Sequence, residues 1–144
     1  MATERHAEVS WSGSLLEGSG TIDRVGSGAF APLDVTWASR TEEPEGRTSP
    51  EELIAAAHAA CFSMAFSHEL AQVGSAPERL ATRADVTFVP GTGITKIALR
   101  VRGRVPGLDA ERFRKLAEAA KNGCPVSQAL AAVPEITLDA ALET

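Results

Sequence analysis

The stretch from Ser49 to Gly74, SPEELIAAAHAACFSMAFSHELAQVG, limits what this chain can become more than any other. It carries helix signals in order: Ser49 as N-cap, Pro50 at the first helical position, Glu51 and Glu52 in the first turn, and Gly74 as the stop. Glu52 completes an S-x-x-E capping box with Ser49, so a helix is expected from Pro50 to about Val73. Between Leu53 and Phe66 the sequence is apolar almost all round, which predicts a helix buried on most sides. That run of 14 residues is too short and too rich in Ala to span a bilayer, which needs about 20 strongly apolar residues. A fold must therefore be built around this helix.

The flanking segments supply what could cover it. HAEVSW (6–11), GTIDRV (20–25) and PLDVTW (32–37) read as short strands separated by Gly/Ser turns, the pattern of a small antiparallel sheet. The Gly-Ser-Gly triplets at 18–20 and 26–28 do not complete a phosphate-binding GxGxxG, and they read as hairpin turns. Residues 38–48, ASRTEEPEGRT, form a polar acidic loop in this reading. Two longer strands, 79–89 and 94–105, meet across a PGTG turn. In the second, Thr95, Ile97, Leu99 and Val101 alternate with polar or small residues, as in a strand with one buried face. An amphipathic helix follows over 109–123, capped by Asp109, with Phe113, Leu116, Ala117 and Ala120 on its inner stripe. CPVSQALAAV (124–133) restarts a short helix, with Pro125 at its first position. EITLDAAL (135–142) is the last strand. The class is α+β, and the length of 144 residues suits a single domain, 1–144, that folds without a disulfide or metal.

Charge and composition narrow the function. The net charge is −5, and no run of Lys or Arg is long enough to track a phosphate backbone, which argues against a nucleic-acid role. The first residues are charged where a secretory leader would be apolar, so a soluble cytoplasmic protein is expected. There are only two cysteines, Cys61 and Cys124. In a reducing compartment a bond between them would be transient and catalytic rather than structural. Cys124 stands at the N-cap position of its helix, where backbone N–H groups ease formation of a thiolate. Cys61 is mid-helix and gains nothing of that kind from its own helix. His58 lies one turn before it on the same face, and His68 lies about 10 Å beyond it along the axis. The two histidines are not spaced i, i+4 and have no third ligand nearby, so no metal site is expected.

At this point the sequence resembles a known family. SPEELIAAAHAACFSMAF (49–66) together with GCPVSQAL (123–130) is similar to the osmotically inducible protein C (OsmC) family of thiol peroxidases. WSGSLLEGSGTI (11–22) and ITKIALRVRGRVPG (94–107) fit it as well, and the related organic hydroperoxide resistance branch is similar. The resemblance implies antiparallel sheets wrapped around a central helix in an intertwined homodimer, with active sites at the subunit interface. It implies that Cys61 reacts with the peroxide and that Cys124 resolves the product. Arg40 would activate Cys61, and Glu51 would be the carboxylate partner of Arg40. Organic hydroperoxides would be the substrates and a dithiol, in particular a lipoyl group, the reductant, with no metal or organic cofactor. Arg47, in the same loop as Arg40, is the alternative activating arginine; Arg40 is preferred because it would follow a strand end.

The helical rise puts Glu51 roughly 15 Å from Cys61 along one helix, so a carboxylate serving Cys61 would more easily come from a second chain. Phe62, Met64 and Phe66 are candidates for an apolar substrate pocket, although all three can be simple core. Two other functions fit the same residues: a non-catalytic dimeric binder of apolar ligands, and a redox sensor that forms the same disulfide without turnover.

Overall fold

The structure, a computed structural model, describes residues 1–143 and divides at residues 53 and 54 into two compact units. In the first, β1 (Ala7–Ser12), β2 (Ser19–Val25) and β3 (Leu33–Val35) form an antiparallel sheet in that order. The three expected strands are present, the third cut short. The expected loop after it instead begins with a short helix, α1 (Trp37–Thr41). Its cause is a reciprocal cap. The Ser39 N–H donates to Thr36 Oγ1 at 2.9 Å, and the Thr36 N–H donates to Ser39 Oγ at 3.0 Å. Arg40 therefore rides on α1 and not on a strand end. The Ser39 hydroxyl also donates to the Thr48 carbonyl at 3.0 Å, tying α1 to the segment that leads into the long helix α2 (Pro50–Gln72). The Glu52 N–H donates to Ser49 Oγ at 3.1 Å, the cap expected for α2, while the Glu52 carboxylate accepts from the Thr48 hydroxyl at 2.8 Å.

The second unit holds α2 from Ile54 onward, β4 (Arg79–Val89), β5 (Gly93–Arg104), α3 (Ala110–Gly123), α4 (Pro125–Ala129) and β6 (Glu135–Leu142). β4 and β5 pair as an antiparallel hairpin, with a register shift between Thr87 and Phe88. β6 pairs with β5 in parallel, Ile97 opposite Ile136 and Val101 opposite Ala140. A parallel pair needs a crossover, and α3 with α4 provides it. This parallel edge is the one departure from the expected antiparallel arrangement.

The core of this unit has a simple origin in spacing. Phe62, Phe66 and Leu70 recur every four residues on α2 and are fully buried. They pack with Ile97, Leu99 and Val101, the inward set of β5, and with Phe113, Ala117 and Ala120 of α3. The Phe66 and Phe113 rings tilt against each other with centroids 4.9 Å apart. Burial of each such side chain contributes about 1.5–3 kcal/mol. The expectation that α2 is covered on most sides is not met within one chain. Ala56, Ala57 and Ala60 are exposed, and Met64 is 70% exposed. Among the described residues, no helix is long and apolar enough to cross a membrane.

Candidate active site

Two groups of residues singled out by the sequence come together, each in its own unit. In the first, the Arg40 Nε of α1 donates to both oxygens of Glu51, at 2.5 and 3.1 Å. Glu51 is only 6% exposed and Arg40 also lies over the Trp37 ring, its guanidinium carbon 5.8 Å from the ring centre. Both oxygens of this buried carboxylate accept from the one Nε–H, a charge-assisted contact that orients the guanidinium. Arg47, the alternative, is on the surface at 3.8 Å from Glu45. Of these two arginines it is Arg40 that meets Glu51.

The second group centres on the cysteines, both free thiols. Cys124 is the N-cap of α4 and is fully buried; Cys61, on α2, is partly exposed. The two thiols lie close enough to act on one another's ionisation. Burial pushes the Cys61 thiol above its ordinary value, and hydrogen bonding of its S–H to Cys124 adds to this, against an opposing pull from the Val126 N–H. Burial acts upward on Cys124 as well. The Ser127 N–H, the Cys61 thiol, the Ser127 hydroxyl and the Val126 N–H outweigh it, and the Cys124 thiol comes to lie below the ordinary range. The Cys124 side chain makes no capping hydrogen bond to α4.

The sequence placed His58 one turn before Cys61 but gave it no partner. His58 Nε2 lies 2.7 Å from Ser127 Oγ, with His58 completely buried and Ser127 8% exposed. Burial lowers the His58 pKa from its ordinary value. The candidate pocket residues divide: Met64 is exposed, but Phe62 and Phe66 belong to the core and line no accessible pocket, because they share the inward stripe of α2 with Leu70. An open cavity of about 790 Å³ lies beside β1 and β2, lined by residues such as Arg5, His6, Val25 and Phe30. It contains none of the residues above. Among the described residues, no three His, Cys, Asp or Glu side chains cluster as a metal site would require.

Comparison with known proteins places this arrangement. The profile of the OsmC-like protein family matches residues 43–139. Peroxiredoxin OsmC of Escherichia coli (strain K12) is 44% identical over 147 aligned positions, covering 100% of both chains. The organic hydroperoxide resistance protein OhrA of Bacillus subtilis (strain 168) is 29% identical, covering 81% of this chain and 85% of its own. Among solved structures, an OsmC-like protein of unknown function from Vibrio cholerae superposes with a TM-score of 0.71 at 16% identity, over 96% of this chain and 99% of that one. The chain belongs to the OsmC family.

Proposed function

We propose that this protein is a thiol peroxidase that reduces organic hydroperoxides, and hydrogen peroxide less well, in defence against oxidative and osmotic stress. The observation that carries this reading is that Cys61 and Cys124, two free thiols 63 positions apart in the chain, come near enough in the fold to act on each other. The names of the relatives, a peroxiredoxin and an organic hydroperoxide resistance protein, support the same class.

The chemistry needs a sulfur nucleophile and a place for negative charge. The Cys61 sulfur, as thiolate, attacks the outer oxygen of ROOH; the O–O bond breaks, Cys61 becomes a sulfenic acid and RO⁻ leaves to take up a proton as ROH. Cys124 then attacks the Cys61 sulfur. The S–S bond forms, the S–O bond breaks, and the hydroxide leaves as water with the Cys124 proton. Arg40, fixed by Glu51, is assigned the role of favouring the thiolate and stabilising the alkoxide as it departs. A dithiol, of which a lipoyl group is one example, returns both cysteines to thiols.

A homodimer is part of this reading. The face of α2 carrying Met64 is uncovered in the second unit, and Val9, Leu15 and Leu16 are between 56% and 75% exposed in the first. Exposed large apolar side chains of this kind suit an interaction surface on each unit. A second copy of the chain would cover them and place the active sites at the subunit interface.

The test is steady-state consumption of cumene hydroperoxide with dihydrolipoamide as reductant. Turnover is expected in the wild type, faster than with hydrogen peroxide, and is lost in Cys61→Ser. A wild type that consumes no hydroperoxide, or a Cys61→Ser variant that keeps full turnover, would overturn the proposal.

A further inference from the structure

The outer face of the β4–β5–β6 sheet carries charges that work against the pairing of its own strands. On β5 the buried Ile97, Leu99 and Val101 turn toward the core, and the positions between and beyond them, Lys96, Arg100, Arg102 and Arg104, turn away from it. The register sets Arg104 directly opposite Arg79 and Arg100 directly opposite Arg83. Like charges in facing positions destabilise an antiparallel pair, and this hairpin holds two such rows. They lie four residues apart, about 13 Å at the rise of a strand.

The acids nearby leave the conflict in place. Arg83 pairs with Asp85 at 2.7 Å, and Lys96 pairs with Glu135 at 3.5 Å. Asp139 stands opposite Arg100 in register but pairs with Arg102, at 2.9 Å. Glu78 and Glu143 lie beside the Arg79–Arg104 row, tied to β5 through their backbone N–H groups. Among the described residues, Arg79, Arg100 and Arg104 make neither an ion pair nor a side-chain hydrogen bond, and all three are exposed. A chain with 19 acidic residues against 14 basic ones therefore keeps three arginines unpaired on one sheet face. An anion that bridged them would turn a repulsive arrangement into an attractive one.

The character of the face selects the anion. Its other outward positions are Ala81, Thr87, Ala98, Thr137 and Ala141, so bases would find nothing to stack on. Asp85, Glu135 and Asp139 interrupt any continuous track for a phosphate backbone. Separate carboxylates suit it better, because each guanidinium offers a planar fork that a carboxylate can meet with both oxygens. In an extended peptide every second side chain points the same way, about 7 Å apart, which is also the spacing of successive outward rows on this hairpin. Acids at alternate residues would thus fall on the Arg79–Arg104 row, on Arg102 and on the Arg83–Arg100 row. Salt screens the negative charge of the rest of the chain beyond about 8 Å, so a short segment feels mainly this face.

We propose that the outer face of this sheet is the docking site for an extended acidic segment of a partner protein, its carboxylates at alternate residues and received by Arg79, Arg100 and Arg104. The site goes beyond the peroxidase reading and uses none of the residues assigned to that chemistry.

The experiment is fluorescence anisotropy of a labelled peptide in which Glu and Ser alternate over about seven residues, titrated with the reduced full-length protein at about 25 mM salt. Saturable binding is expected, severalfold weaker at about 150 mM salt, and absent for a peptide with Ser at every position. Arg79→Gln combined with Arg104→Gln is expected to weaken binding about tenfold, the scale of one lost hydrogen bond to a charged group. Arg112→Gln combined with Arg114→Gln removes the same charge from exposed positions of α3 and should bind as the wild type does. The Arg79 and Arg104 double variant should also unfold at a urea concentration no lower than the wild type, because its facing charges are gone. Four results would each overturn the proposal: no saturable binding, equal losses in the two double variants, tighter binding of single-stranded DNA of the same length, or a lowered urea midpoint. No peroxide enters the assay, so the peroxidase reading stands or falls separately.

Discussion

Replacing His58 by Gln should remove a component of acid sensitivity whose size follows from burial alone. The ring is completely buried with one nitrogen unpartnered, and its pKa is lowered in the folded chain. An unfolded chain protonates the same ring near pH 6.5, so below that pH it binds more protons than the folded one. Stability from this group is fully present above pH 6.5 and is lost as pH falls toward the folded value. The unfolded ring, titrating near pH 6.5, limits the loss between pH 7.5 and 5.5 to at most RT ln 10, about 1.4 kcal/mol. Gln reaches the position of Nε2, can hydrogen-bond Ser127, and does not titrate. The other two histidines, His6 and His68, are exposed and present in both proteins, so they cancel in the comparison. The assay is urea unfolding at fixed protein concentration at pH 7.5, 6.5 and 5.5, in a Cys124→Ser background so that the thiol does not add to the slope. Wild-type His58 should lose more than His58→Gln across that range, by no more than about 1.4 kcal/mol. Equal losses would refute the assignment of His58 as a buried neutral ring.

Three other perturbations test separate parts of the structure. Arg40→Met should slow the hydroperoxide reaction about 100- to 1,000-fold, as loss of a donor to a developing oxyanion does, while Arg47→Met changes it less than threefold; stopped-flow oxidation of the thiols reads both. Gly103→Ala puts a Cβ 2.7 Å from the Phe113 ring and 2.9 Å from Leu80, so overpacking should cost about 1–3 kcal/mol in urea unfolding. Met64→Asp places a charge on the uncovered face of α2; if the proposed dimer forms through that face, light scattering should find a dimer for the unsubstituted protein and a monomer for the variant.

Much of the fold is legible in the sequence because its signals are local. Ser49, Pro50 and Gly74 bracket α2, the alternation around Ile97 sets the buried face of β5, and Asp109 starts α3, its side chain accepting from the Arg112 N–H at 2.8 Å. Cys124 before Pro125 reads correctly as a helix N-cap. α1 escaped because its capping box uses Ser39 in place of the usual Glu or Gln, inside a segment whose Pro and Gly content reads as loop. The parallel pairing of β6 depends on how α3 and α4 return the chain, which no strand pattern records. Phe62 and Phe66 looked suited to a pocket because the all-apolar composition of α2 hides which stripe turns inward.

The site divides in the same way. Cys61, Cys124, Arg40 and Glu51 stand in motifs and could be named from the sequence. The pairing of Arg40 with Glu51 could be expected only from the family resemblance, since the two lie on different elements. His58 and Ser127 had no signal that joined them. Their contact exists because His58 falls on the same inward stripe as Phe62 and because α4 turns its third residue toward that stripe.

The most direct test of the account is the fate of the two thiols after one equivalent of cumene hydroperoxide, read by intact mass and free-thiol count. The wild type should lose both thiols with a mass decrease of about 2 Da, the two hydrogens removed by disulfide formation. Cys124→Ser should hold a trappable sulfenic acid on Cys61. Thiols that remain intact in the wild type, or a sulfenic acid that appears on Cys124 in place of Cys61, would contradict it.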